Sequence, residues 1–456
     1  MIGPFTSSPF SSWRTNPIGI AVHKYSNKKR MIIDLSAPHS SFVPSINALI
    51  PADEFSLQYV KIDDAIQTII STGSNAWLSK TDITNAFKLL PMHPSLWHLH
   101  GVKWRNKYYF STRLTFGSRS SPKLFDIFAE TLCWLLLNII RCHTVIHYLD
   151  DFLIIEPSTR TPTDILSTSA LFATLGVPLS PAKTIGPTTK LTFLGIELDY
   201  GTFRASLPPE KLVRLRGEID MFLRNNVCTR KELQSLLGSL NFAMRIVPQG
   251  RSFVSRLLCL LHGVPDACPI ALDHHAKADL LMWGKFLTQW NGISMFIPPL
   301  SDSSPCIYTD AAASTGFAAI FGNHWFRGHW PAETDALPGF RETSALFEIY
   351  PIVAAAHTWG HLWSGKAVKC YSDNSSACDI INKGRSSSLT MMRLIRKLTW
   401  LAATVQFHLI CLHIPGIHNT AADALSRSQF QVFFQALPSA HHQPSRTPNF
   451  YELILD

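Results

Sequence analysis

A chain of 456 residues, 46% hydrophobic and 16% charged, is globular and too long for one core, so two to four domains are expected. Its net charge of +9 points toward a polyanionic partner such as a nucleic acid, although a merely soluble basic surface reads the same way. Nine cysteines without any C-x-x-C spacing argue against a disulfide frame or a cysteine zinc site, and no apolar run has the length of a membrane span.

The last 160 residues carry 11 basic and 11 acidic side chains, so the whole basic excess belongs to the first 296. No apolar signal segment opens the chain; an intracellular place, cytoplasm or nucleus, is expected, with no membrane partner.

In chain order, residues 1–16 are rich in Ser and Pro and are expected to be a disordered lead-in. Residues 18–22 and 31–35 read as strands around a basic turn, which places Lys24, Lys28, Lys29 and Arg30 beside backbone donors. Such a turn suits phosphate; a solvated basic turn is the plainer meaning. Residues 62–70 are helical, and 76–83 form a strand that ends in Asp82. A small-residue loop over 114–122 carries Phe116 and Gly117, where glycine lets backbone approach a ligand closely. It leads into an amphipathic helix over 123–140. Residues 145–155 then read as strand, tight turn and strand, with Asp150 and Asp151 in the turn. A helix over 163–175 is stopped by Gly176; Lys183 lies in the loop beyond, and a strand follows over 191–198.

Residues 201–296 are helix-rich. Thr229 and Glu232 form a capping box at the start of one helix. The Pro- and Ser-rich stretch 297–305 reads as a linker. After it come three strands over 306–329, then alternating helices and strands to a last strand over 405–414 and a helix from 421. This is an α/β domain over 306–427, and a disordered tail is expected over 428–456.

Two sets of carboxylates stand out. Asp82, Asp150 and Asp151 would meet if their strands were antiparallel neighbours. Three acids at one point repel each other and call for a divalent cation; oxygen-only ligands favour Mg²⁺. The alternative is a solvated turn, where Asp is common. Asp310, Glu348, Asp373 and Asp423 form the second set, one acid per element. Glu348 lies among Leu346, Phe347, Ile349, Ile352 and Val353, where a carboxylate costs several kcal/mol unless paired or metal-bound. Four unrelated acids are the alternative.

The motifs resemble those of reverse transcriptases. Tyr148-Leu149-Asp150-Asp151 is similar to the polymerase signature of that family, and Thr81-Asp82-Ile83-x-x-Ala86-Phe87 to its first catalytic motif. Leu114-x-Phe116-Gly117-x-x-Ser120-Ser121-Pro122 resembles its nucleotide and template loop, and Phe193-Leu194-Gly195 a later motif. The second set resembles ribonuclease H through Tyr308-Thr309-Asp310-Ala311, Glu348, Tyr371-Ser372-Asp373-Asn374 and Asn419-x-x-Ala422-Asp423-Ala424-Leu425-Ser426-Arg427.

The resemblance implies a right-hand polymerase of mixed α/β and α+β domains followed by an RNase H-like α/β domain. Fingers and palm would span 17–200 and a thumb and connection 201–296. It implies two Mg²⁺ per site, with Mn²⁺ as substitute. The ligands would be Asp82, Asp150 and Asp151 in one site, and Asp310, Glu348, Asp373 and Asp423 in the other. Phe87 would be the steric gate against a ribose 2′-hydroxyl. Lys24 and Arg30 would clamp triphosphate, with Asp34 their structural partner. Lys183 would be the proton donor to pyrophosphate, or a plain loop lysine. His418 would be the mobile base of the nuclease, with His413 its competitor. Expected partners are a primed RNA or DNA template, RNA–DNA hybrid and deoxynucleoside triphosphates. The element would be a retrotransposon polyprotein, of the tyrosine-recombinase class. A decayed relic that only binds nucleic acid is the alternative reading.

Overall fold

The computed structural model describes residues 1–22, 29–39, 42–73, 75–265, 268–289, 292, 294–336 and 343–454. Lys24, in the basic turn, lies outside them. Two compact units divide the chain: residues 1–194 with 198–202, and residues 195–197 with 203–456.

The first unit opens with strand β1 (Ile2–Phe5), followed by β2 (Ile18–Val22) and β3 (Lys29–Ile33), which pair antiparallel. Helix α1 (Ile62–Thr72) precedes β4 (Trp77–Asp82). The hairpin β5 (Gly101–Trp104) and β6 (Lys107–Phe110) follows, then α2 (Ser121–Leu135), which continues as a π-helical turn over Leu136–Ile140. Next come β7 (Thr144–Tyr148), β8 (Asp151–Glu156), α3 (Ile165–Thr174), β9 (Ile185–Thr188) and β10 (Lys190–Phe193). The central sheet has the order β7-β8-β4-β9. Its apolar face, with Phe152 and Ile154, packs against Phe125, Ala129 and Leu132 of α2 and Phe172 of α3. Each fully buried phenylalanine contributes about 2–3 kcal/mol by area removed from water.

The expectation of a disordered lead-in over 1–16 is corrected. β1 adds to the free edge of β6, with Ile2 opposite Phe110 and Phe5 opposite Tyr108. Phe10 then packs edge-on against Phe110 at 4.8 Å and Trp13 against Tyr108 at 4.9 Å. An open strand edge offers unpaired backbone groups to whatever segment can reach it, and the anchors Phe10 and Trp13 outweigh the Ser and Pro composition.

The second unit continues from β11 (Ile196–Asp199), the stretch where the chain passes between units, through β12 (Arg204–Ser206), α4 (Pro209–Arg224), β13 (Val227–Cys228), α5 (Arg230–Ala243), α6 (Ser255–Cys259), β14 (Ile270–Ala271), α7 (His274–Gln289) and β15 (Ser294–Met295). Thr229 caps α5: its hydroxyl accepts from the Glu232 N–H, and Glu232 Oε2 accepts from the Thr229 N–H at 2.8 Å. Then β16 (Cys306–Ala312), β17 (Gly316–Phe321) and β18 (His324–Gly328) form an antiparallel meander. Helix α8 (Ser344–Trp359), β19 (Ala367–Ser372), α9 (Ser375–Lys383), α10 (Leu389–Val405), β20 (His408–His413), α11 (Thr420–Ser426) and α12 (Phe430–Ala436) complete it. The five-stranded sheet has the order β18-β17-β16-β19-β20, with β16, β19 and β20 parallel.

Two boundary expectations change. The 297–305 stretch does not separate independent bodies: α7 and α10 lie on either side of it in sequence, yet Arg396 Nη2 of α10 lies 3.3 Å from Asp279 Oδ1 of α7, both 1% exposed. Ser252 also donates to the Gly384 carbonyl at 2.8 Å. The described part of the tail, 428–454, is not disordered either. Phe433 of α12 is buried against Trp325 at 5.3 Å, Trp325 Nε1 donates to the His441 carbonyl at 2.6 Å, and Phe450 and Leu453 enter the core.

Candidate active sites

β4 and β8 are antiparallel neighbours with Asp82 directly opposite Asp151. The connecting turn holds Leu149 at a φ of 52°, a left-handed conformation that costs a non-glycine residue roughly 1–2 kcal/mol. The Ile83 N–H donates to the Asp150 carbonyl at 2.9 Å and pins the turn to the end of β4. So a strand end and a hairpin tip, 68 residues apart in sequence, present three carboxyls at one place. All three line a cavity of about 680 Å³, together with Lys29, Arg30, Phe87, Phe116 and Lys183.

Burial pushes both hairpin carboxyls above the usual carboxylate range. For Asp150 the neighbouring Asp82 adds to this, while Lys183 and Arg30 oppose it. For Asp151 the Lys80 ammonium opposes burial and the Asp82 carboxyl reinforces it. Lys183 Nζ donates to Asp82 Oδ2 at 2.7 Å. The Phe87 ring is buried and meets Phe116 at 5.0 Å and Phe125 at 5.7 Å, so the cavity wall beside the acids is stiff and aromatic.

Gly117 is held close against its own chain. At a φ of 104° it lies against β3, and a Cβ there would fall 2.2 Å from the Ile33 carbonyl oxygen. The close approach is to its own chain. Asn47, which the sequence did not flag, fastens this loop: Nδ2 donates to the Gly117 carbonyl at 2.8 Å and Oδ1 accepts from the Arg119 N–H at 2.9 Å. Arg119 donates in turn to the Ile50 carbonyl at 2.8 Å. Asp34 bonds His39 at 2.9 Å and the Ser36 N–H at 3.0 Å, which makes those its partners.

In the second unit the parallel pairing of β16 with β19 sets Asp310 beside Asp373, and α8 brings Glu348 beneath them. Their ligand atoms lie within 4.8 Å of one another, the one such group among the described residues. Burial first, then Asp310 and Asp373, push the Glu348 carboxyl up to about 9. Asp310 rises to about 6 from burial, against the Ser426 hydroxyl that donates to it at 2.5 Å. Three oxygen donors, one of them buried and reluctant to ionise alone, fit a divalent cation. Asp423 stands apart from the trio: Arg427 Nε is 2.7 Å from its Oδ1. His413 Nε2 lies 3.1 Å from the Asp373 carbonyl oxygen. His418 lines a separate cavity of about 540 Å³ with Tyr308 and Asn419.

Comparison with known proteins finds a family match for residues 11–198. A family model described as reverse transcriptase (RNA-dependent DNA polymerase) matches residues 11–198. The chain carries a reverse transcriptase domain. This domain contains Asp82, Asp150, Asp151 and the whole lining of their cavity. Similar stretches occur in viral polyproteins. The genome polyprotein of petunia vein clearing virus is 27% identical over 259 residues, 56% of this chain and 11% of that one. The Pro-Pol polyprotein of feline foamy virus is 25% identical over 245 residues, 53% of this chain and 19% of that one. This chain thus spans under a fifth of either polyprotein's length. The foamy viral protease-reverse transcriptase dRH in complex with ds DNA superposes with a TM-score of 0.51 at 19% identity, covering 89% of this chain and 66% of that one. That likeness extends the shared fold beyond the reverse transcriptase domain. No described helix is long and apolar enough to cross a membrane.

Proposed function

We propose that the chain is a bifunctional retroelement enzyme. The first-unit cleft would extend DNA on a primed RNA or DNA template, and the second cluster would cleave the RNA strand of RNA–DNA hybrids. The carrying observation is the single cavity that joins Asp82, Asp150 and Asp151 to Phe87, Arg30 and Lys183, all inside the stretch that matches reverse transcriptases. A duplex partner agrees with the basic excess of the first 296 residues and with the ds DNA bound by the structural relative.

Asp82 and Asp150, with Asp151 assisting, would hold two Mg²⁺, with Mn²⁺ as substitute. Bound there, the ions supply activation of a 3′-hydroxyl and stabilisation of the leaving pyrophosphate. Arg30 offers the cavity a fixed positive charge for a triphosphate. The Phe87 ring, braced by Phe116 and Phe125, would crowd a 2′-hydroxyl and so select deoxynucleotides. Lys183 holds Asp82 and would donate a proton to the leaving pyrophosphate.

In the second cluster Asp310, Glu348 and Asp373 would hold the ions, with Asp423 as an outer carboxylate once Arg427 releases it. The Ser426 hydroxyl orients Asp310. His413 stands beside Asp373, and His418 is the loop histidine for product release.

Primer extension with Mg²⁺ on RNA and DNA templates tests the first half, and hybrid cleavage the second. Asp150→Asn should abolish extension and spare cleavage; Asp373→Asn should do the reverse. Salt-dependent binding to hybrid with no turnover of either kind, under varied metal and template, would establish the nucleic-acid-binding relic instead.

A further inference from the structure

β4 carries a second charged residue that faces the acids. Strand alternation puts Lys80 and Asp82 on one side, and Asp151 opposite Asp82 is Lys80's diagonal cross-strand neighbour. Lys80 Nζ lies 3.3 Å from Asp151 Oδ1, and it also donates to the Thr192 carbonyl of β10 at 3.4 Å. Its side chain is 13% exposed, whereas Lys183, the cation on Asp82, is 58% exposed and comes from a loop. The two lysines therefore differ in kind. Incoming nucleotide or metal can displace a solvated loop lysine. A largely covered lysine tied at the same time to a carboxylate and a backbone carbonyl is part of the scaffold.

We propose that Lys80 is a positioning residue that commits Asp151 to the scaffold and so leaves Asp82 and Asp150 as the carboxylates that take metal. It joins the acid hairpin to β10, the strand that leads into Leu194, and sets the height of Asp150 relative to Asp82. An ion on Asp151 Oδ1 would sit against the Lys80 ammonium, so like-charge repulsion keeps that oxygen from being a ligand while Lys80 is present. This assignment rests on the polymerase reading of the cleft.

Mn²⁺ titration followed by electron paramagnetic resonance, together with single-turnover primer extension, separates the two. Both use the full chain with Asp310→Asn and Asp373→Asn silencing the second cluster. Lys80→Met should free Asp151 for the ion: Mn²⁺ binds several-fold tighter while extension slows roughly 10- to 100-fold, the usual effect of losing a residue that orients a ligand. The KM for deoxynucleotide should stay within about twofold. Lys80→Arg should restore both properties. In an Asp151→Asn background Lys80→Met should change neither, because its action passes through Asp151. A weaker or unchanged Mn²⁺ affinity in Lys80→Met would overturn the proposal, as would a slowing that persists in full on Asp151→Asn. If Lys80→Met does not fold, Lys80→Gln supplies the same comparison. If the parent chain extends no primer at all, the polymerase reading falls. The Mn²⁺ arm then still decides Lys80: tightening that Asp151→Asn cancels upholds it, and no tightening overturns it.

Discussion

Glu348 is the most costly side chain in the second cluster, and replacing it exposes that cost. Its carboxyl ionises near 4.5 in an unfolded chain and at about 9 when buried beside Asp310 and Asp373. Between those values the folded state keeps a proton that the unfolded state has lost. Stability of the metal-free protein therefore falls as pH rises through that window, by about 1.4 kcal/mol per pH unit. At pH 7 the accumulated cost is about 3 kcal/mol, and below about pH 4.5 it vanishes. Glu348→Gln keeps the shape and removes the titration. In EDTA at pH 7 it should stabilise the second unit by up to about 3 kcal/mol, with the gain shrinking steadily toward pH 5. Added Mg²⁺ should stabilise the parent and not the variant, which should also lose hybrid cleavage. Hydrogen exchange of α8 peptides across a urea series measures this without interference from the first unit. A Glu348→Gln protein less stable than its parent in EDTA at pH 7, or a difference that does not vary with pH, would refute the reasoning. The carboxyl would then be paired in the fold by something other than a proton.

Other perturbations have equally definite outcomes. His100 is buried, and burial lowers its pKa to about 4 from 6.5. The first unit should thus keep full stability above pH 6.5 and lose about 3 kcal/mol as pH falls to 4, a slope that His100→Asn should flatten in acid urea titrations. Asp279→Asn would strip the fully buried Arg396, and Arg256 at 3.3 Å, of their shared carboxylate. A loss of about 3–5 kcal/mol is expected by calorimetry, largely recovered in the double change Asp279→Leu with Arg396→Met. Gly117→Ala would drive a methyl into the Ile33 carbonyl at a φ that disfavours side chains. It should cost about 2 kcal/mol or more and raise the KM for deoxynucleotide, because the displaced loop carries Phe116 away from Phe87. A crystal structure of this variant with an unmoved loop would disprove the steric account.

Much of the chemistry was legible in the sequence because it lies in local pattern. The Asp150-Asp151 turn between apolar strands, Asp82 at a strand end, Glu348 among aliphatic residues and the Thr229 capping box all follow from alternation, helical spacing and the cost of burying charge. Seven carboxylates could be singled out, and the motifs around the two sets resembled reverse transcriptases and ribonuclease H. What escaped was non-local. Composition misleads at the lead-in and the tail, since pairing with the β6 edge and burial of Phe433 depend on partners far along the chain. Asn47 holds the 117–119 loop from 70 residues away, and no local signal marks an asparagine for that task. Lys80 could have been noticed, because a residue two before Asp82 shares its face, but its partners at Asp151 and Thr192 lie across the sheet. Residue identity and local pattern mark the groups that can carry charge, proton or metal. Folding settles which of them are neutralised by lysine or arginine, which hold a proton more tightly, and which meet within reach of one ion. Those outcomes depend on distance and burial, and both are set by strand register and packing between segments remote in the chain.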